Sequence, residues 1–89
     1  MTTALEMLYT VRAAMEETFL NNVKDVLDIT DRELSLDDDF RSMPEWSSLT
    51  FLSMIAMIDE EYGVVIDGNK FKLLETLSDI LEAIKAAKA

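Results

Sequence analysis

Glu45-Trp46-Ser47-Ser48-Leu49-Thr50-Phe51-Leu52-Ser53-Met54-Ile55-Ala56-Met57-Ile58-Asp59-Glu60-Glu61 is a serine pair leading into an uncharged run that closes on three acids. A serine hydroxyl accepts a hydrogen bond from the orphan amides of a first helical turn, so Ser47 or Ser48 suits the start of a helix. The helix is expected to run to about Tyr62, where Gly63 reaches the left-handed conformation that ends it. The apolar run from Leu49 to Ile58 is too short to cross a bilayer, whose core is roughly 30 Å thick against a rise of roughly 1.5 Å per residue.

Within this helix Phe51, Met54, Ile55, Ile58 and Tyr62 recur at steps of three and four and form the face a bundle core requires. Met54 and Met57 read as core filler. Leu49, Leu52 and Ala56 form a second stripe, rotated away from the first and starting beside Ser48. Two explanations fit it: a central helix covered on most sides, or an exposed docking surface for another protein.

Upstream, Pro44 fixes the chain direction before the helix. From Asp28 to Trp46 the chain is acidic, with Ile29, Leu34, Leu36, Phe40 and Met43 spaced without a period, which predicts a long loop pinned by those side chains. Trp46 reads as the anchor of that loop. Asp37-Asp38-Asp39 lacks the alternating carboxylates, central glycine and closing glutamate of a calcium loop and reads as solvated charge. Before the loop, Leu8, Val11, Met15, Phe19, Val23 and Val26 predict an amphipathic helix over Ala4 to Leu27, with Asn21-Asn22 as a place for it to bend or fray.

Downstream, Val64-Val65-Ile66 reads as a short extended piece and Asp67-Gly68-Asn69 as a turn. Lys70 to Leu74 offers at most a short third helix. Thr76-Leu77-Ser78-Asp79 resembles a capping box and opens a last helix through Leu77, Ile80, Leu81 and Ile84, with Lys85 and Lys88 at its negative end.

The chain of 89 residues has room for one core and is expected to form a single domain over residues 1–89. Eighteen acidic residues against eight basic ones give a net charge of −10, which repels nucleic acid and anionic membranes and favours protein partners with basic docking patches. The absence of cysteine removes a disulfide framework, a thiolate metal site and a thiol nucleophile, and the absence of histidine removes the commonest general base. Catalysis by this chain is therefore not expected; a hydrolase built on Asp59 and Glu60 fails because neighbouring helical residues point apart. The start Met1-Thr2-Thr3 lacks the order of a secretory signal, and a cytoplasmic location is expected.

Ser48-Leu49 with its apolar helix, then Asp59-Glu60-Glu61-Tyr62-Gly63-Val64-Val65-Ile66, then Thr76-Leu77-Ser78-Asp79-Ile80, resembles the acyl carrier protein and peptidyl carrier family from Phe40 to Ile84. The resemblance implies an all-α four-helix bundle of the acyl carrier protein type, with a long first loop and a short third helix. It also implies that Ser48 carries a covalent phosphopantetheine whose thiol holds acyl or aminoacyl groups as thioesters. The implied partners are a phosphopantetheinyl transferase, an acyl- or aminoacyl-loading ligase, and synthase or transferase enzymes that dock on Leu49, Leu52, Ala56, Asp59 and Glu60 of a monomeric carrier. An acyl chain of more than a few carbons is expected to enter partly between the second helix and its neighbours, near Met54 and Ile55.

Ser47 stands where the family has aspartate, and as the neighbouring hydroxyl it is the other candidate acceptor. Thr50 and Ser53 stand at positions often acidic in carriers of fatty acid synthesis, which points to a dedicated carrier of a specialised pathway. Residues before about Thr18 match only a generic first helix. The alternative reading is a degenerate carrier, a helical adaptor that binds one partner without a prosthetic group.

Overall fold

A computed structural model describes the backbone of residues 4–88 and the side chains of residues 14–88. Four helices follow one another: α1 (Ala4–Leu27), α2 (Ser48–Tyr62), α3 (Gly68–Phe71) and α4 (Leu77–Lys88). The fold is the expected all-α arrangement with a long first connection and a short third helix. Among the described residues the only β pairing is an isolated antiparallel bridge between Asp39 and Thr76.

Helix α1 passes through Asn21-Asn22 unbroken, and the amide of Asn22 donates to the Tyr62 hydroxyl at 3.2 Å, tying α1 to the end of α2. The helix stops instead at Asp28, which takes a left-handed φ of 55°. The amide of Ile29 then reaches back to the Lys24 carbonyl (2.9 Å) and that of Asp28 to the Asp25 carbonyl (3.3 Å), the paired closure of a Schellman motif. Aspartate tolerates this backbone region better than most side chains. Phe19, Val23 and Leu27 face the core and Val26 is half-buried, while Leu8 and Val11 lie outside the described side chains.

Loop residues Ile29, Leu34 and Phe40 are buried, and Leu36 and Met43 pack against them, so the connection is pinned as its apolar residues predict. It also holds a 3-10 turn, Phe40–Ser42, that the irregular spacing hid; Asp39 caps it by accepting from the Arg41 amide at 3.0 Å. Asp38 accepts from the Ser35 amide at 2.8 Å, so this acidic run makes loop hydrogen bonds. Arg32 closes the loop across thirteen residues by a two-pronged pair with Glu45, at 2.7 and 3.1 Å. The guanidinium holds the Glu45 carboxyl below its ordinary range, and the same hydrogen bond raises the pKa of Arg32.

Met54, Met57 and Ile58 of α2 meet Leu77, Ile80, Leu81 and Ile84 of α4 in one apolar core, and no polar or charged residue is buried among the described residues. Burial of such side chains contributes about 1.5–3 kcal/mol each relative to exposure. Val64 and Ile66 turn inward and Val65 outward, the alternation of an extended piece. Helix α3 begins at Gly68, two residues before the expected Lys70, because Asp67 caps it by accepting from the Asn69 amide; it ends at Phe71, leaving Leu73 and Leu74 in the turn.

Candidate functional site

The start of α2 shows which of the two serines caps the helix. Ser47 is the N-cap: its hydroxyl accepts from the Thr50 amide at 3.2 Å, and the Thr50 hydroxyl accepts from the Ser47 amide at 2.7 Å. This reciprocal box fixes the entry of the chain with two neutral side chains. Ser48 is the first helical residue, it is exposed, and among the described residues its hydroxyl has no hydrogen-bond partner. No acidic residue occupies the first turn, so the positive end of the helix is left without a compensating side chain.

Ser48 opens onto a cleft of about 540 Å³ between α2, the loop and α3. Its floor is aromatic: Trp46 lies parallel to Phe71 (5°, 6.1 Å between centroids), and Phe51 meets both edge-on at 6.3 and 5.3 Å. Phe40 lies beneath, 4.8 Å from Trp46 and 5.7 Å from Phe71. Edge-to-face and offset pairs of this kind add roughly 0.5–1.5 kcal/mol each beyond the area they bury. Trp46 is thus the anchor of the loop, as expected, and also a wall of the cleft.

Arg41 and Lys72 line the same cleft. The Arg41 guanidinium lies 5.8 Å from the Phe40 ring centre and donates through Nη2 to the carbonyls of Phe71, at 3.2 Å, and Lys72. It therefore ties the 3-10 turn to the end of α3. Sequence alone marks neither cation. Arg41 and the carbonyls it binds are some thirty residues apart, and no local pattern predicts that meeting.

The second stripe on α2 is exposed: Leu49 is 73% accessible, Leu52 61%, and Ala56 is open to solvent. Of the two explanations, the covered central helix is set aside. Leu52 lines the Ser48 cleft, whereas Ala56 and Glu60 line a groove with Asp25 and Glu61 between α1 and α2. Asp59 is exposed on the same helix. No described helix is long and apolar enough to span a membrane.

The site suits an anion tethered at a hydroxyl. An unengaged serine stands at an uncompensated helix start, two cations line the same cleft, and among the described residues no carboxylate does. The family model described as "Phosphopantetheine attachment site" matches residues 17–84. Two curated relatives, each called acyl carrier protein, come from two strains of Treponema pallidum; each is 32% identical over 75 residues, covering 81% of this chain and 96% of the relative. No solved structure gives a significant match. Fold, helix start and family model converge, and the chain belongs to the acyl carrier family, whose members carry a covalently attached phosphopantetheine.

Proposed function

We propose that Ser48 is the attachment residue and that the chain carries acyl or aminoacyl groups between partner enzymes. One observation carries the choice between the serines: the Ser47 hydroxyl is engaged as the cap of α2, whereas the exposed Ser48 hydroxyl makes no hydrogen bond among the described residues. In the attachment step a Ser48 Oγ–phosphorus bond forms as the pyrophosphate linkage of coenzyme A breaks; the nucleotide bisphosphate leaves, and the hydroxyl proton passes to a base of the transferase. When bound, the group supplies the terminal thiol that this cysteine-free chain lacks and on which acyl groups are held as thioesters.

The chain's own residues present and steer. Leu49, Leu52 and Ala56 offer apolar contact beside Ser48, and Asp59 and Glu60 add charge for basic patches on the transferase, the loading ligase and the synthase or transferase enzymes. Weak docking of this kind suits a monomeric cytoplasmic shuttle that presents one face to several partners in turn. The neutral Thr50 and Ser53 favour a carrier of a specialised pathway.

Intact mass after incubation with coenzyme A and a broad-specificity phosphopantetheinyl transferase tests the assignment. The native chain and Ser47→Ala are expected to gain one phosphopantetheine and Ser48→Ala none. A gain lost in Ser47→Ala instead would move the site by one residue. No gain in any form, where a control carrier is modified, would favour the adaptor, which uses the exposed stripe without the serine.

A further inference from the structure

We propose that the cleft beside Ser48 is a subsite for the prosthetic arm of this same chain, holding the arm's phosphate against Arg41 and Lys72 and leaving a short acyl cargo on the aromatic floor, outside the bundle. The inference rests on attachment at Ser48.

Charge supports the phosphate end. In a chain of net charge −10, several described cations sit beside carboxylates: Lys24 with Glu33, Arg32 with Glu45, Lys85 with Glu82. Arg41 and Lys72, like Lys70 and Lys88, have no such pair among the described residues, and it is Arg41 and Lys72 that line the cleft that Ser48 opens. Arg41 is held there by the carbonyls at the end of α3, so its position costs little further ordering when an anion arrives. A phosphodiester on Ser48 places a negative charge at the mouth of a cleft whose charged lining residues are both positive.

Packing supports the location of the cargo. An acyl chain entering the bundle from the Ser48 cleft would meet Phe40 and Phe71, which are 0% and 1% accessible, before Met54, which is 0% accessible. Four rings joined in five packed pairs close the way beneath Ser48, and interiors packed at this density do not admit a methylene chain without rearrangement. The expected entry near Met54 and Ile55 thus meets a closed floor. Each methylene beyond the reach of that floor stays in water, which selects acyl groups of a few carbons or flat ones that lie on the rings.

The test loads the native chain, through the transferase, with coenzyme A, acetyl-coenzyme A and octanoyl-coenzyme A, and follows it by mass and NMR. Attachment of the bare arm is expected to shift the Trp46 indole and Lys72 amide signals, and Lys72→Gln, which leaves the Arg41 tether in place, to shrink that shift. The methyl signals of Met54 and Ile58 and the thermal midpoint are expected to coincide in the acetyl and octanoyl forms. Methyl signals that move with chain length, or a midpoint that rises with it, would overturn the external cargo site. An arm that leaves Trp46 and Lys72 unmoved would overturn the phosphate site. Mass distinguishes either failure from that of the attachment itself, since a chain that gains no arm would remove the reading beneath both.

Discussion

Helices α2 and α4 begin with the same backbone device and opposite electrostatics. At α2 the box is Ser47 with Thr50, both neutral; at α4 it is Thr76 with Asp79, whose Oδ2 accepts from the amides of Glu75 (3.0 Å) and Thr76 (3.1 Å) while the Thr76 hydroxyl accepts from the Asp79 amide (3.2 Å). Those backbone donors hold the Asp79 carboxyl below its ordinary range. The α4 start is neutralised by its own side chain and carries only structure. The α2 start satisfies its amides without a charge and keeps its positive end open. The difference separates a helix start that closes on itself from one left available to an anion.

If both boxes act as caps, removing either should cost the same. Ser47→Ala and Thr76→Ala are each expected to destabilise the apo chain by about 1 kcal/mol, lowering the thermal midpoint by about 4–8 °C for a domain of this size. A much smaller loss at Ser47 would break the parallel. Charging the α2 box sharpens it: Thr50→Asp is expected to stabilise the apo chain by about 0.3–1 kcal/mol through the helix dipole and to erase or reverse that gain once the arm is attached. Calorimetry of the apo and holo forms reads both, and an equal gain in the two forms would show that the open end has no bearing on the arm.

The smallest effect is in acid. Asp79 and Glu45 have folded-state pKa values below their ordinary 3.8 and 4.5, so the unfolded chain binds more protons as pH falls. Their contribution is present above the ordinary carboxylate range and fades as pH drops through the lowered values. Asp79→Thr, which turns the α4 box into a copy of the α2 box, is expected to flatten part of the fall in thermal midpoint between neutral pH and roughly pH 3. Ser47→Ala should leave that slope unchanged. A slope equally steep in Asp79→Thr would place the acid sensitivity elsewhere.

Much of this architecture is legible in the sequence because its causes are local. Helix faces follow from steps of three and four, and the α4 box follows from Thr76 and Asp79 three residues apart. The end of α2 follows from Gly63, which takes a left-handed φ of 66°. Sequence leaves two serines as possible caps and two meanings for Leu49, Leu52 and Ala56; backbone geometry separates the first pair and exposure the second. What escapes has distant causes. Arg41 reaches the end of α3 through tertiary packing, and Phe71 reads as an ordinary residue of a short helix until Trp46 and Phe51 are seen against it. Asn21-Asn22 signals a place to bend or fray, yet α1 runs on through it and Asn22 finds the Tyr62 hydroxyl on another helix; the stop depends on Asp28 and on Ile29 finding the core.

The bridge between Asp39 and Thr76 has a consequence for synthesis. The carbonyls of Leu36 and Asp38 accept from the amides of Ser78 (2.8 Å) and Leu77 (3.1 Å), so the connection ahead of α2 is stitched to the start of the last helix. A growing chain that has released nothing beyond Glu75 lacks those donors, and the loop that carries Arg41 and Trp46 is held only by the Arg32–Glu45 pair and its contacts with the end of α3. Chains emerge from the ribosome N-terminus first, at about 5–20 residues per second. The serine is therefore translated well before its surroundings are complete, and the loop behind the cleft is fully stitched only in a chain that has already released the start of α4.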